Sequence, residues 1–457
     1  MKKAHFLLIF LIALATQSCG DSDDISENTQ NPSLRLSSTN LTITNSSGNI
    51  TVYVVSNTTW SVESEASWLT PDKNKGEGDM DIKINYSENT TNERSGIIKF
   101  IADGLPPVEL EIIQTELTFT NPIAGIPDPW IIKHGTSYYI CKAQGNGINI
   151  AKSDKLTSFP LTSKVWSAPT DTNDNKVWNP TNIWAPELHF IDGQWYIYYA
   201  AGRPTSESDG SYTKQRSGVL RSKTDDPQGE WEDLGMLYTG DHYEPGIVAT
   251  SENTNYAIDL GVFKLNGQLY AVWSGNPEGS GDQWLYIAKM DNPYTISSSR
   301  VAISKPDKPW ELYSGKVNEG PAFLKNKEKG KFFVVYSTNG SWTKQYRLGY
   351  LELSDTLSNP LVASNWKKSA NEVFFRNDET INPTSGVNGV GHCSFTKSPD
   401  GTEDWIAYHV KAFNESGWSN RHTFIQRFTW NEEDGTPYFG RPVGWEEPIA
   451  LPSGESR

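Results

Sequence analysis

Asp128, Asp259 and Glu319 are three carboxylates that head segments of a repeated pattern, and His392 heads another. Each segment is a short apolar strand, a turn with glycine, then an aromatic-rich strand. The five are "DPWIIKHGTSYYICKA", "APELHFIDGQWYIYYAA", "DLGVFKLNGQLYAVWSG", "EGPAFLKNKEKGKFFVVYS" and "HCSFTKSPDGTEDWIAYHV", headed by Asp128, Ala185, Asp259, Glu319 and His392. A single acid at a strand start is an ordinary turn or surface residue. Three at matched positions are harder to dismiss, because like charges brought together raise one another's pKa. Two carboxyls with divergent pKa values, one keeping its proton and one losing it, are the acid and base of glycoside hydrolysis.

These acids need elements that bring them together. The turn glycines are Gly135, Gly193, Gly267, Gly330 and Gly401, spaced 58, 74, 63 and 71 residues apart. Further strand candidates, such as "GVLRSKT" and "WLYIAKM", fall between the segments. About four strands per repeat and five repeats predict a five-bladed β-propeller over residues 117–457. The innermost strands of a propeller line its axis, so their heads converge at one mouth of the channel. No long amphipathic helix competes with this reading.

Upstream, the alternating runs "LRLSS", "NLTITN", "NITVYVVS", "WSVES", "DIKINYS", "SGIIKFIA" and "VELEIIQ" predict seven short strands, a small immunoglobulin-like β-sandwich at 33–116. The stretches "TTWSVESEASWLTP" and "NTTNERSGIIKF", with closing Gln114, resemble the BACON domain, which precedes enzymes in Bacteroidetes. That family was named for suspected carbohydrate binding. Here Trp60 and Trp68 fit a core pattern better, which favours a spacer. The N-terminus carries Lys2 and Lys3, then ten apolar residues from Phe6 to Ala15. A bilayer span needs about 20, so residues 1–18 read as a secretory signal. Cys19 after Ser18 resembles the lipidation site of bacterial lipoproteins, although Thr16 stands where such signals usually carry Leu. The following "GDSDD" resembles the surface-export signal of Bacteroidetes lipoproteins. The expectation is an outer-membrane lipoprotein facing the cell surface or periplasm, tethered through 19–32; plain secretion is the alternative.

The charge is −15 and no basic cluster is long enough to grip phosphates, which argues against nucleic acid as a partner. The chain is expected to be a monomer that meets a membrane only through Cys19. Two cysteines beyond Cys19, Cys141 and Cys393, sit among strand formers and read as buried free thiols rather than a disulfide framework. Tryptophans number 17. Trp130, Trp184 and Trp273 lie near the acids and could stack on a sugar ring or pack the blades; the two readings stand level.

The motifs "IPDPW", "WAPEL", "AIDLGVF", "NEGPAF", "GHCSF" and "RHTFIQRFTWNEEDGTPYFG" resemble glycoside hydrolase family 43, a family of five-bladed propellers, across nearly the whole C-terminal domain. The resemblance implies that Asp128 is the general base, Glu319 the general acid, and Asp259 the residue that holds Glu319 and keeps its pKa raised. It implies that Arg421 bonds a sugar hydroxyl or steadies the base. His392 resembles an axial histidine that reaches a central water or Ca²⁺, so a structural Ca²⁺ is an option and no catalytic cofactor is expected. Hydrolysis would proceed with inversion, the two carboxyls standing ~6.5–9.5 Å apart. The overall look resembles the α-L-arabinofuranosidases acting on arabinose-containing plant glycans, with β-D-xylosidase, then arabinan or galactan hydrolase, as alternatives. A propeller could also bind a glycan without cleaving it, but that role has no use for three mutually repelling carboxylates.

Overall fold

The computed structural model describes residues 31–172, 177–203, 214–378 and 386–456. Cys19, the leader at 1–18 and most of the tether lie outside the described residues. The described chain is all β apart from two short 3₁₀ turns, Pro309–Glu311 and Ala363–Asn365, and divides into two compact units.

The first unit holds residues 31–88 and 95–114. One sheet has the order Leu34–Leu36, Gly48–Ser56, Met80–Tyr86, Leu69–Pro71. The other has the order Asn40–Ile43, Val108–Gln114, Arg94–Ala102, Thr59–Ser64, Lys75–Glu77. Two of these nine strands, Leu69–Pro71 and Lys75–Glu77, are too short to read from the sequence. Alternation sets the faces: Val52 and Val54 are buried while Thr51 and Tyr53 point out. Trp60 is buried in the core they form, its indole N–H donating to the Gly78 carbonyl at 3.0 Å, and Trp68 packs against the same core. Both tryptophans serve packing.

The second unit contains five four-stranded antiparallel blades, the third with a short extra strand, Thr295–Ile296. Their inner strands are Trp130–His134, Thr181–Ile191, Ala257–Leu265, Asn318–Asn326 and Val387–Lys397. Each inner strand touches the next, and the fifth touches the first, so the ring closes. Inner strands two to five are buried along nearly their whole length, because blades cover them on both sides. The hairpin turns follow local chemistry. Asp192–Gly193 and Asn266–Gly267 take φ of 50° and 85°, and 49° and 83°, the type I′ pattern that Asp-Gly and Asn-Gly favour.

Hydrogen bonds between distant parts of the chain also close the seam. Thr118–Thr120 pairs antiparallel with Pro448–Ala450. Beside it, the buried Asn121 amide donates to the Ile425 carbonyl at 2.9 Å and accepts the Ile425 N–H at 3.0 Å. Asn121→Ala strands both backbone groups, a loss of about 1–3 kcal/mol. Urea unfolding should show the midpoint falling accordingly; an unchanged midpoint would mean that closure does not depend on this clasp.

Candidate active site

Four of the five inner strands carry the same irregularity near their heads. Two residues of the inner strand oppose one of its neighbour: Ala185 and Pro186 against Tyr199, Asp259 and Leu260 against Trp273, Gly320 and Pro321 against Tyr336, His392 and Cys393 against Tyr408. The first residue of each bulge has a left-handed backbone, with φ of 39° at Ala185, 53° at Asp259, 58° at Gly320 and 48° at His392. Asp128, at the head of the first blade, shares this conformation with φ 49°. The matched set is therefore Asp128, Ala185, Asp259, Gly320 and His392. Glu319 stands one residue earlier, correcting the register read from the sequence.

The offset has a use. Gly320 occupies the left-handed position, and its N–H donates to Asp259 Oδ2 at 2.9 Å. A Cβ at Gly320 would lie 3.2 Å from the His392 ring and 3.4 Å from Ser337 Oγ. The Glu319 side chain, 7% exposed, accepts from the Tyr346 hydroxyl at 2.9 Å and from Gln283 Nε2 at 3.3 Å. Tyr346 fits because residue 391 is glycine: a Cβ there would stand 2.4 Å from the tyrosine ring.

Asp128 is held differently. Its Oδ1 lies 2.7 Å from Arg421 Nη1, 3.1 Å from His409 Nδ1 and 3.2 Å from His392 Nδ1. Burial would raise the Asp128 carboxyl, but the Arg421 guanidinium, with the two histidines, holds it far below the usual carboxylate range. Burial pushes His409 down to about 3 and His392 down as well, so the permanent positive charge beside Asp128 is that of Arg421. Arg421 therefore pairs with Asp128, the carboxylate expected to be the base.

Glu319 moves the opposite way. Burial is the largest cause, the Tyr346 hydrogen bond, the Arg421 charge and the Gln283 hydrogen bond oppose it, the Asp128 charge adds to it, and the carboxyl is pushed up to about 7. Asp259 is also raised well above its ordinary value, by burial first and then by Glu319 and Asp128. Asp259 and Glu319 are an interacting pair, both displaced toward the protonated form. The expected order of causes is thus revised: burial, more than a charged Asp259, lifts Glu319.

The aromatic candidates separate. Trp273 is 0% exposed and fills the bulge opposite Asp259 within the packed core; a sugar cannot reach it. Trp130 donates its indole N–H to the Leu188 carbonyl at 2.7 Å and packs on His189 at 4.7 Å between ring centroids, so it joins the first two blades. Trp184 is half-buried at the residue just before a bulge. His392 turns Nδ1 toward Asp128, and among the described residues no group of three or more His, Cys, Asp or Glu is placed to hold a metal. The set does not fit a protein-built metal centre.

Sequence reasoning missed Tyr346, Gln283 and His409, which look like core residues in or just before second and third strands. It also passed over Glu187, although "WAPEL" contains it. This carboxyl is buried, is raised well above its ordinary range by that burial, and meets His189 Nε2 at 2.9 Å. His189 is pushed down to about 3 by burial. Cys141 and Cys393 are buried free thiols, as expected.

Comparison with known proteins agrees with this geometry. The model of the glycosyl hydrolases family 43 matches residues 119–437, and that of the BACON domain matches residues 58–114. An extracellular exo-α-(1→5)-L-arabinofuranosidase of Streptomyces avermitilis is 36% identical over 356 residues, covering 74% of this chain and 67% of that protein. The α-L-arabinofuranosidase 43 of Humicola insolens is 33% identical, covering 69% of this chain and 62% of its own length. The crystal structure of an α-L-arabinofuranosidase from Lactobacillus brevis superposes with a TM-score of 0.62 at 31% identity, covering 72% of this chain and 98% of that one.

Gly320→Ala tests the site's backbone. A side chain at left-handed φ costs roughly 1–2 kcal/mol, and here it also presses on His392. The variant should unfold at lower denaturant and lose the Asp259–Gly320 alignment, giving a lower alkaline pKa in its pH–rate profile. A wild-type profile would show that this amide does not position the acids.

Proposed function

The chain belongs to glycosyl hydrolase family 43, and from that premise we propose that it releases terminal α-L-arabinofuranose from arabinose-containing plant glycans with inversion. The observation that carries the chemistry is the opposite displacement of two neighbouring carboxyls: Asp128 stays ionised and Glu319 is pushed up to about 7. Glu319 gives its proton to the leaving glycosidic oxygen. Asp128 takes a proton from a water whose oxygen attacks the anomeric carbon from the opposite face. The carbon–oxygen bond to the leaving group breaks as the new one forms, and the product has the inverted anomeric configuration. Solvent then reloads Glu319 and unloads Asp128. Asp259 orients the acid through the Gly320 amide, and Arg421 keeps the base ionised. Both proton-transferring groups are side chains, so the reaction calls on no catalytic cofactor.

The choice of sugar is supported by the named activities of the relatives, four of which at 30–36% identity are arabinofuranosidases. Two relatives are named as extracellular, which with the Lys2–Ala15 pattern supports export. Acylation of Cys19 would then anchor the enzyme to the outer membrane.

Cleavage of 4-nitrophenyl α-L-arabinofuranoside should exceed that of the β-D-xylopyranoside. Asp128→Ala should lower turnover about 10²–10⁴-fold with the fold intact by circular dichroism. Glu319→Gln should lose less on this activated leaving group than on an oligosaccharide. Proton NMR of the first-formed sugar should show the β anomer. Preferential xylose release would move the substrate assignment, and a retained α anomer or an active Asp128→Ala would overturn the mechanism.

A further inference from the structure

Fifteen of the 17 tryptophans are buried or half-buried. The remaining two, Trp342 and Trp418, are 38% and 57% exposed, and they are neighbours, with ring centroids 5.6 Å apart and planes at 59°. Exposing two large aromatic surfaces side by side is costly unless something covers them.

Their position ties them to both catalytic arms. Trp342 lies four residues before Tyr346, whose hydroxyl meets Glu319 at 2.9 Å. Trp418 lies three residues before Arg421, and its carbonyl accepts from Arg421 Nε at 3.0 Å while Arg421 holds Asp128. The two loops are bound to each other. Gly417 N–H donates to the Trp342 carbonyl at 2.7 Å. The buried Lys411 ammonium donates to the carbonyls of Ser341, Thr343 and Gly417 at 2.8, 3.1 and 3.2 Å.

The Trp342 ring is also seated. A Cβ at Gly340 would come within 2.5 Å of it, and one at Gly315 within 3.5 Å. Its orientation is therefore set before any ligand arrives, which lowers the ordering cost of binding.

We propose that Trp342 and Trp418 form an aromatic platform that stacks on the sugar unit next to the one being released, so that the enzyme prefers glycan chains to small arabinosides. The proposal rests on the glycosidase reading above. A neutral sugar ring suits it, because the apolar C–H face of a sugar stacks on an indole while its hydroxyls stay wet. The energy of that remote contact is available to the chemical step only when the second sugar is present.

The test compares arabinotriose with α-L-arabinofuranosyl fluoride, whose leaving group carries no ring. In Trp342→Ala and Trp418→Ala the ratio of kcat/KM on the triose to that on the fluoride should fall about tenfold, a difference of about 1.4 kcal/mol, and Trp342→Phe should restore most of it. Binding gives a readout free of turnover: calorimetry of arabinotriose with Asp128→Ala should show affinity falling by a similar factor when Trp342→Ala is added. A wild-type ratio and wild-type affinity in both alanine variants would overturn the platform while leaving the glycosidase reading intact. A wild-type protein that neither hydrolyses the fluoride nor binds the triose would overturn the reading on which the platform rests.

Discussion

The contact between Arg421 and Asp128 sets the electrostatics of the whole channel mouth. A carboxylate in a buried site costs several kcal/mol unless a partner compensates it, and the guanidinium 2.7 Å away supplies that partner. Three carboxyls share this region with one permanent positive charge. Arg421 pairs directly with Asp128 and only partly offsets the burial of Glu319, while Asp259 has the Gly320 amide, and burial lifts both. One ion pair thus separates a base from an acid among residues of the same chemical type. The pair also spans the seam of the ring, since Arg421 precedes the third strand of the last blade and Asp128 the first strand of the first.

The backbone makes this sharing possible. Left-handed residues at Asp128, Asp259 and His392 cost about 1–2 kcal/mol each for an L residue, although Asp and His tolerate the conformation better than most. At Asp259 and His392 the strain is held by ladders on either side of the bulge and by a large buried ring opposite it, Trp273 and Tyr408. Glycine at 320 removes the side chain from the one bulge where His392 already fills the space. Glu319 then reaches the site from the preceding residue, between a tyrosine hydroxyl and a glutamine amide.

The five-fold period and the acids were legible because they repeat: the turn glycines, the aromatic second strands and the strand heads recur at similar spacing. The bulge register was not legible, since it depends on which residue takes positive φ, and Asp, Ala, Gly and His share no pattern that announces it. Trp273 stood level between sugar wall and blade packing, because its place on the strand after Asp259 does not say which face its side chain takes. His409 sits in a strand that reads as core, Tyr346 and Gln283 stand just before the strands Arg347–Leu353 and Trp284–Asn292, and only the fold brings the three to the acids. Trp342 and Trp418 lie in loops that fall outside every repeat. Glu187 was visible inside a motif, but its burial against His189 becomes apparent only when the second inner strand is in place.

The central claim is that Glu319 keeps its proton into the neutral range while Asp128 does not. The direct test is a carbon-13 NMR titration of protein labelled at the glutamate side-chain carboxyl, with the Glu319 resonance assigned by its loss in Glu319→Gln and that of Glu187 by Glu187→Gln. The account predicts a Glu319 midpoint near 7, well above the roughly 4.3 of an unperturbed glutamate. It also predicts that removing Arg421, by Arg421→Met, raises the Asp128 carboxyl in the matching aspartate-labelled sample. A Glu319 resonance titrating in the ordinary carboxylate range would contradict the account, because the acid would then be spent at the pH where the base is ready.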